Sequence, residues 1–149
     1  MRAYLAAPYA AREQVFNYAR DLVRLEFDVT ASWIEELHDI NAGTIGAAKD
    51  LHPGEVAGHA LTDLDDIERC DVLVVFTGNY IESFGFDAAL LHTGGRHVET
   101  GYALAKGKPV FVVGEPENVF HRLPQVTVAD SWLELVGALV EHRDAGLAT

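Results

Sequence analysis

Five consecutive apolar residues, Val72-Leu73-Val74-Val75-Phe76, leave this segment no polar face to turn to solvent. A half-exposed strand alternates apolar and polar positions, so an unbroken run of this kind predicts a strand covered on both faces, the habit of parallel sheets. The run Ala3 to Ala7 has the same character and stops at Pro8, which cannot donate to a ladder. From Ala10 to about Glu26, the positions Ala11, Val15, Tyr18, Ala19, Leu22 and Leu25 recur at helical spacing among Arg12, Glu13, Asn17, Arg20 and Asp21. That spacing predicts an amphipathic first helix, followed by a short strand near Phe27 to Ala31. Further along, helices are expected over Leu61 to Cys70, from about Arg96 to Lys106 with Gly107 as C-cap, and from Ser131 (N-cap) to about His142. Strands are expected at Pro109 to Val113 and Val126 to Val128.

Strand and helix thus alternate about five times, which calls for an α/β fold: a single doubly wound, flavodoxin- or Rossmann-like domain with about five mostly parallel strands and helices on both faces. Two stretches break the pattern. Trp33 to His59 contains the breakers Asn41-Ala42-Gly43 and His52-Pro53-Gly54 and only a weak helical signal from Gly46 to Leu51; Thr77 to His92 contains Gly78, Asn79, Tyr80, Phe84, Gly85 and Phe86. Ligands in such sheets bind beyond the carboxyl ends of the strands. Here those ends lead into Pro8-Tyr9, Trp33, Thr77-Gly78-Asn79 and Gly114, so one pocket is expected at that edge.

The 149 residues are one domain's worth of chain, read as a single unit over 1–149. With 49% hydrophobic and 23% charged residues and no apolar run of membrane-spanning length, neither a transmembrane nor a disordered chain is expected. Eleven Lys and Arg against 23 Asp and Glu give a net charge of −12, which argues against nucleic acid and anionic membranes as partners. The amino terminus shows no signal-peptide pattern and the single Cys70 has no disulfide partner within the chain, so a reducing, cytoplasmic setting is expected.

The chemistry narrows by exclusion. A G-x-G-x-x-G after the first strand, a G-x-x-x-x-G-K-S/T loop and a G-x-S-x-G elbow are all missing, and the seven histidines show no H-x-H or H-E-x-x-H spacing. No metal and no cofactor is expected. The informative segment runs from Thr93 to Pro109. Its glycines, Gly94 and Gly95, precede a helix, where backbone amides and the helix dipole favour an anion or a sugar. Glu99 is expected in the first turn, where the dipole would keep its carboxylate ionised. On spacing alone, Thr93 and Glu99 fit a helix cap equally well, and Asp63, with Asp65 and Asp66 beside it, fits an acidic helix start.

Three ordered motifs carry a resemblance. Gly95, Glu99, Gly101 and Ala103 fit a G-x-x-x-E-x-G-x-A helix; Tyr4-Leu5-Ala6-Ala7-Pro8 fits an opening Y-L-A-x-P strand; Asp63-Leu64 with Ile67 and Asp71 fits a D-L-x-x-I-x-x-x-D helix before the third strand. Over Arg2 to about Val113 the chain resembles the nucleoside 2-deoxyribosyltransferase-like enzymes. The resemblance implies that Glu99 is a nucleophile towards the anomeric carbon of a 2-deoxyribosyl group, and that Asp63 contacts the base and serves the leaving nitrogen as a proton donor. It implies Tyr9 beside the pocket, a homo-oligomer (dimer or higher), and Asn118 reaching a neighbouring subunit's site. The expected partners are a small nucleoside or nucleotide and a free base, in nucleotide salvage. Where the transferases carry an aspartate six residues before the nucleophile, this chain has Thr93, closer to the serine of the related deoxynucleoside-monophosphate hydrolases. Thr93, Gly94, Gly95 and Arg96 therefore fit a monophosphate cradle, while Arg96 fits a solvated surface charge as well. Transferase, hydrolase and a non-catalytic nucleotide-binding module remain the three readings. Tyr80, Phe84 and Phe86 could stack on a base or, like Trp33 and Trp132, serve a dimer core.

Overall fold

A computed structural model of the chain describes residues 1–35, 53–87 and 94–148. Thr93, Asn41-Ala42-Gly43 and the weak helical signal at 46–51 lie outside the described residues. Strands β1 (Arg2–Ala6), β2 (Asp28–Val29), β3 (Val72–Phe76), β4 (Val110–Val113) and β5 (Val126–Ala129) form one sheet in the order β2-β1-β3-β4-β5, with every neighbouring pair parallel. All residues of β3 and β4 are buried, as their unbroken apolar runs predict.

The helices are α1 (Arg12–Arg24), α2 (Pro53–Arg69), α3 (Gly78–Glu82), α4 (Gly95–Ala105) and α5 (Trp132–Leu147). Helices α1 and α5 cover one face, where the Trp132 indole lies 4.5 Å from the Tyr18 ring and donates to Asp21 Oδ2 at 3.1 Å. Helices α2 and α4 cover the other, tied where the Tyr102 hydroxyl donates to Glu68 Oε1 at 2.6 Å. The doubly wound reading therefore holds, with an entirely parallel sheet.

Three boundaries differ from expectation. Helix α2 starts at Pro53, well before Leu61, because proline at a first helical position has no amide bond to lose; what reads as a breaker is a helix start. Thr77 opens a short helix inside the second irregular stretch, its Oγ1 accepting from the Tyr80 amide at 3.3 Å. Helix α5 runs on past His142 to Leu147, with Ser131 as its N-cap as expected.

This strand order puts β1 and β3 side by side while the chain leaves them in opposite directions, opening a crevice above their carboxyl ends. Beyond β4 the backbone turns at Gly114 with φ of +105°, and a Cβ there would lie 2.1 Å from Thr77 Oγ1. Only glycine fits so close an approach of the β3 and β4 ends.

Candidate active site

Tyr4 stands in the middle of β1 with no exposure to solvent, and a phenol so buried needs a partner for its hydroxyl. It donates to Glu99 Oε1 at 2.8 Å, reaching from the sheet to α4. Burial drives the Glu99 carboxyl up to about 8; the Tyr4 hydrogen bond works against that rise and the negative charge of Asp63 adds to it. The expectation that the helix dipole keeps Glu99 ionised is overturned. Helix α4 begins at Gly95, no acidic residue occupies its first turn, and at Glu99 desolvation outweighs a dipole that fades within one turn.

Asp63 lies well inside α2 rather than at its start, so the helix-start reading of this residue does not hold. Its Oδ1 is buried, and its charge acts on both Tyr4 and Glu99, so the two predicted catalytic carboxylates are brought together. Asp66, one turn on, is engaged differently. Only 1% exposed, it accepts from the Ser32 amide at 2.8 Å and the Ser32 hydroxyl at 2.5 Å and pairs with Arg69. It pins the short helix Ser32–Glu35 to α2. That helix carries Trp33, whose indole donates to the Leu5 carbonyl at 2.8 Å and whose ring centre is 6.1 Å from that of Tyr9. Tyr9 and Trp33 thus form an aromatic wall at the end of β1. Tyr80 is engaged elsewhere, with its hydroxyl 3.2 Å from that of Tyr18 and Phe84 edge-on against its ring.

Gly94 and Gly95 open α4, and a Cβ at either would meet nothing, so local packing does not require glycine there. Arg96 is not a solvated charge. Its side chain is 4% exposed and clasps Glu117 with two nitrogens, Nε to Oε1 at 3.1 Å and Nη2 to Oε2. Burial tends to raise the Glu117 carboxyl, but the hydrogen bond and charge of Arg96 outweigh it and hold it below its ordinary value. The Gly78 amide also bonds to Glu117, and a Cβ on Gly78 would come within 3.3 Å of Arg96 Nη2, so the clasp closes over a glycine. Behind it, His121 is buried, accepts the Glu117 amide on Nδ1 at 3.1 Å, and is held neutral by burial.

Asn118 is not brought to Glu99 within the chain. It caps the short helix Val119–Arg122 through the Phe120 amide at 3.0 Å and lines a cavity of about 250 Å³ with His97, Gly101 and Leu104, the stripe of α4 opposite Glu99. Among the described residues, no group of three His, Cys, Asp or Glu could hold a metal ion, and no helix is long and apolar enough to cross a membrane.

Two residues of this site escape a reading of the sequence. Tyr4 stands in the opening-strand motif without a role, although a tyrosine in a strand buried on both faces signals a hidden hydroxyl partner. Glu117 carries no local signal, because its partner lies 21 positions away.

No protein-family model matches the sequence, and no curated protein matches it. Solved structures do. A CMP N-glycosidase from Clostridium botulinum superposes with a TM-score of 0.51 at 19% identity, over 93% of this chain and 98% of that one. A 2-deoxyribosyltransferase from Bacillus psychrosaccharolyticus superposes with a TM-score of 0.59 at 18% identity, over 91% of this chain and 90% of that one. The chain spans nearly the full length of both, and the fold it adopts is that of the nucleoside deoxyribosyltransferase enzymes.

Proposed function

We propose that this protein is an enzyme of the nucleoside 2-deoxyribosyltransferase type that cleaves the N-glycosidic bond of a 2-deoxynucleoside, or of its monophosphate, through a covalent deoxyribosyl ester on Glu99. The observation that carries the reading is the Tyr4–Glu99 hydrogen bond of 2.8 Å, which aims a part-buried carboxyl group on α4 at β1, one of the two strands that flank the crevice. A carboxyl group kept from water and aimed by one phenol is poorly suited to a structural ion pair and well suited to attack an electron-poor carbon.

The proton inventory is consistent with that role. Near neutral pH the resting Glu99 carboxyl holds a proton, because burial raises it to about 8. In the proposed cycle this proton passes to Asp63, Glu99 attacks C1′, the carbon–nitrogen bond breaks, and Asp63 returns the proton to the leaving base. The products are a deoxyribosyl ester and a neutral base. In the second step the ester C–O bond breaks as a second base attacks C1′, making the enzyme a transferase, or as water attacks and releases the free sugar, making it a hydrolase; Asp63 takes the proton of the attacking group and passes it back to Glu99. Tyr9 lies against the base, Thr93, Gly94 and Gly95 border the sugar, and Asn118 reaches the site of a neighbouring copy. The two structural neighbours, one a transferase and one an N-glycosidase, support both second steps equally.

A chromatographic assay of deoxynucleosides and deoxynucleotides, each with and without an acceptor base, tests this. A new nucleoside formed only with acceptor marks a transferase, and free base without acceptor marks a hydrolase. If no substrate loses its base under either condition, the reading is wrong.

A further inference from the structure

The sheet ends at β2, and that end is open. The Asp28 and Thr30 amides donate to the Met1 and Ala3 carbonyls at 3.0 and 2.9 Å, so Val29, between them in a parallel ladder, turns its own N–H and C=O away from β1. Among the described residues neither group has a hydrogen-bond partner. An edge of this kind accepts a further strand unless it is covered or blocked. Val29 instead borders a groove of about 780 Å³, as does Thr30, whose Oγ1 is buried without a hydrogen-bond partner.

Helix α1 supplies one wall. Phe16, Ala19, Arg20, Val23 and Arg24 recur at the spacing of a single helical stripe, and all of them line the groove. Val15, Tyr18 and Leu22 are buried, whereas Phe16 is 40% and Val23 58% exposed, so α1 carries a second apolar stripe that nothing in the fold covers. Arg69, at the end of α2 on the other face of the sheet, and Arg2, at the start of β1, bring the arginines of the described lining to four, against the two acids Asp28 and Glu35, in a chain of net charge −12. Arg2, Arg24 and Arg69 pair with Asp71, Asp21 and Asp66, yet each keeps more than half of its side chain exposed. Arg20 makes no ion pair among the described residues.

A second copy of the chain fits this edge poorly. Pairing β2 with β2 across a two-fold axis normal to the sheet would bring the two α1 stripes together, arginine against arginine, and like charges across an interface are costly. An extended acidic segment meets every demand of the groove. Its backbone supplies the partners that Val29 lacks, its carboxylates meet the arginines on both faces of the sheet, and its apolar side chains meet Phe16 and Val23. We propose that the β2 edge is a docking site for an acidic segment of another protein, which binds in extended form and adds a strand outside β2. Neither Glu99 nor Asp63 lines the groove, so docking there requires nothing of the reaction.

The probe is a capped, fluorescein-labelled peptide of about eight residues, with glutamate and valine in alternating pairs so that both faces of the strand carry both kinds, titrated by fluorescence anisotropy. Micromolar binding is expected. The same peptide with lysine for glutamate, and one N-methylated throughout, which keeps its charge but cannot pair, should each bind at least about tenfold more weakly, and these arms need no variant to fold. Arg20→Glu with Arg24→Glu, folded by circular dichroism, should weaken the acidic peptide about a hundredfold, and the bound peptide should slow hydrogen exchange of the Val29 amide about tenfold or more. No binding at millimolar peptide, equal affinity for either control peptide, unchanged affinity in the double variant or unchanged exchange at Val29 would each overturn the proposal. A single-stranded oligonucleotide of similar length that binds through Arg20 and Arg24 more tightly than the peptide would overturn it as well, because the groove would then be reading charge and no backbone.

Discussion

Glu99 and Glu117 are both shielded carboxylates near the same edge of one sheet, and the protein treats them in opposite ways. Glu117 faces a buried guanidinium and is held low; Glu99 faces a phenol and another acid and is driven up to about 8. The partner decides the outcome. A carboxylate given a full positive charge is fixed in place as scaffold, whereas one given only a hydrogen-bond donor lacks a counter-charge and holds its proton near neutral pH, ready for transfer. Helix α4 carries both environments, with Arg96 and Glu99 three positions apart on adjoining stripes.

The contrast is broken most severely at Glu99. Glu99→Ala should lower kcat by at least a thousandfold, roughly 4 kcal/mol of transition-state stabilisation, without loss of fold; a folded variant retaining much of its turnover would remove this residue from the reaction. At the other carboxylate the loss should fall on stability. Glu117→Ala leaves Arg96 buried without its counter-charge and should cost about 3 kcal/mol in chemical denaturation, and the double change Arg96→Met with Glu117→Met should recover most of it. Recovery failing in the double variant would show that the clasp contributes more than charge.

The two groups should also respond to pH with opposite signs. Glu99 titrates in the native protein near 8 against an ordinary 4.5, so its contribution to stability is full below about pH 4.5 and is lost as pH rises through about 8. Glu117 is lowered, so its contribution is present above its ordinary value and lost as pH falls through the native one, on the acid side of 4.5. Glu99→Gln should therefore match the unaltered protein in acid and exceed it at pH 9 by on the order of 4 kcal/mol. Equal stabilities at both pH values would mean that Glu99 is not raised. Activity should fall over the same range, because above about pH 8 Glu99 no longer holds the proton that Asp63 delivers to the leaving base. The smallest effect is expected from Tyr4→Phe. Loss of one hydrogen bond to a charged group, about 1.5 to 3 kcal/mol, should reduce kcat roughly tenfold to a hundredfold and, because that bond lowers Glu99, move the falling limb of the pH–rate profile upward. A limb that moves down would assign the phenol some other role.

Much of this architecture is legible because the central strands β3 and β4 are uninterrupted apolar runs. Val72 to Phe76 is delimited to the residue by its composition, since two covered faces admit nothing polar. Pro53 misleads because proline has two meanings, a stop within a helix and a good first residue of one, and only the packing of α2 against its neighbours chooses. At the site, Glu99 and Asp63 are legible as residue types but not as charges. The level of Glu99 depends on Tyr4, which stands 95 positions away, and on burial that no local pattern encodes. Arg96 misleads for the same reason, since a guanidinium beside glycines reads alike whether it is free or clasped.

That separation of 95 positions bears on how the protein is made. Strand β1 emerges first from a ribosome but finds its central partner β3 only once Val72 to Phe76 has followed, and Tyr4 must wait for Glu99 longer still. Until about a hundred residues have been synthesised, the phenol and one apolar edge of β1 have no native mate, and the nascent chain is exposed to mispairing. Slow or arrested translation in this interval should therefore endanger the yield of active protein more than a pause after α4 has emerged, because by then the reactive centre can assemble while β5 and α5 are still to come.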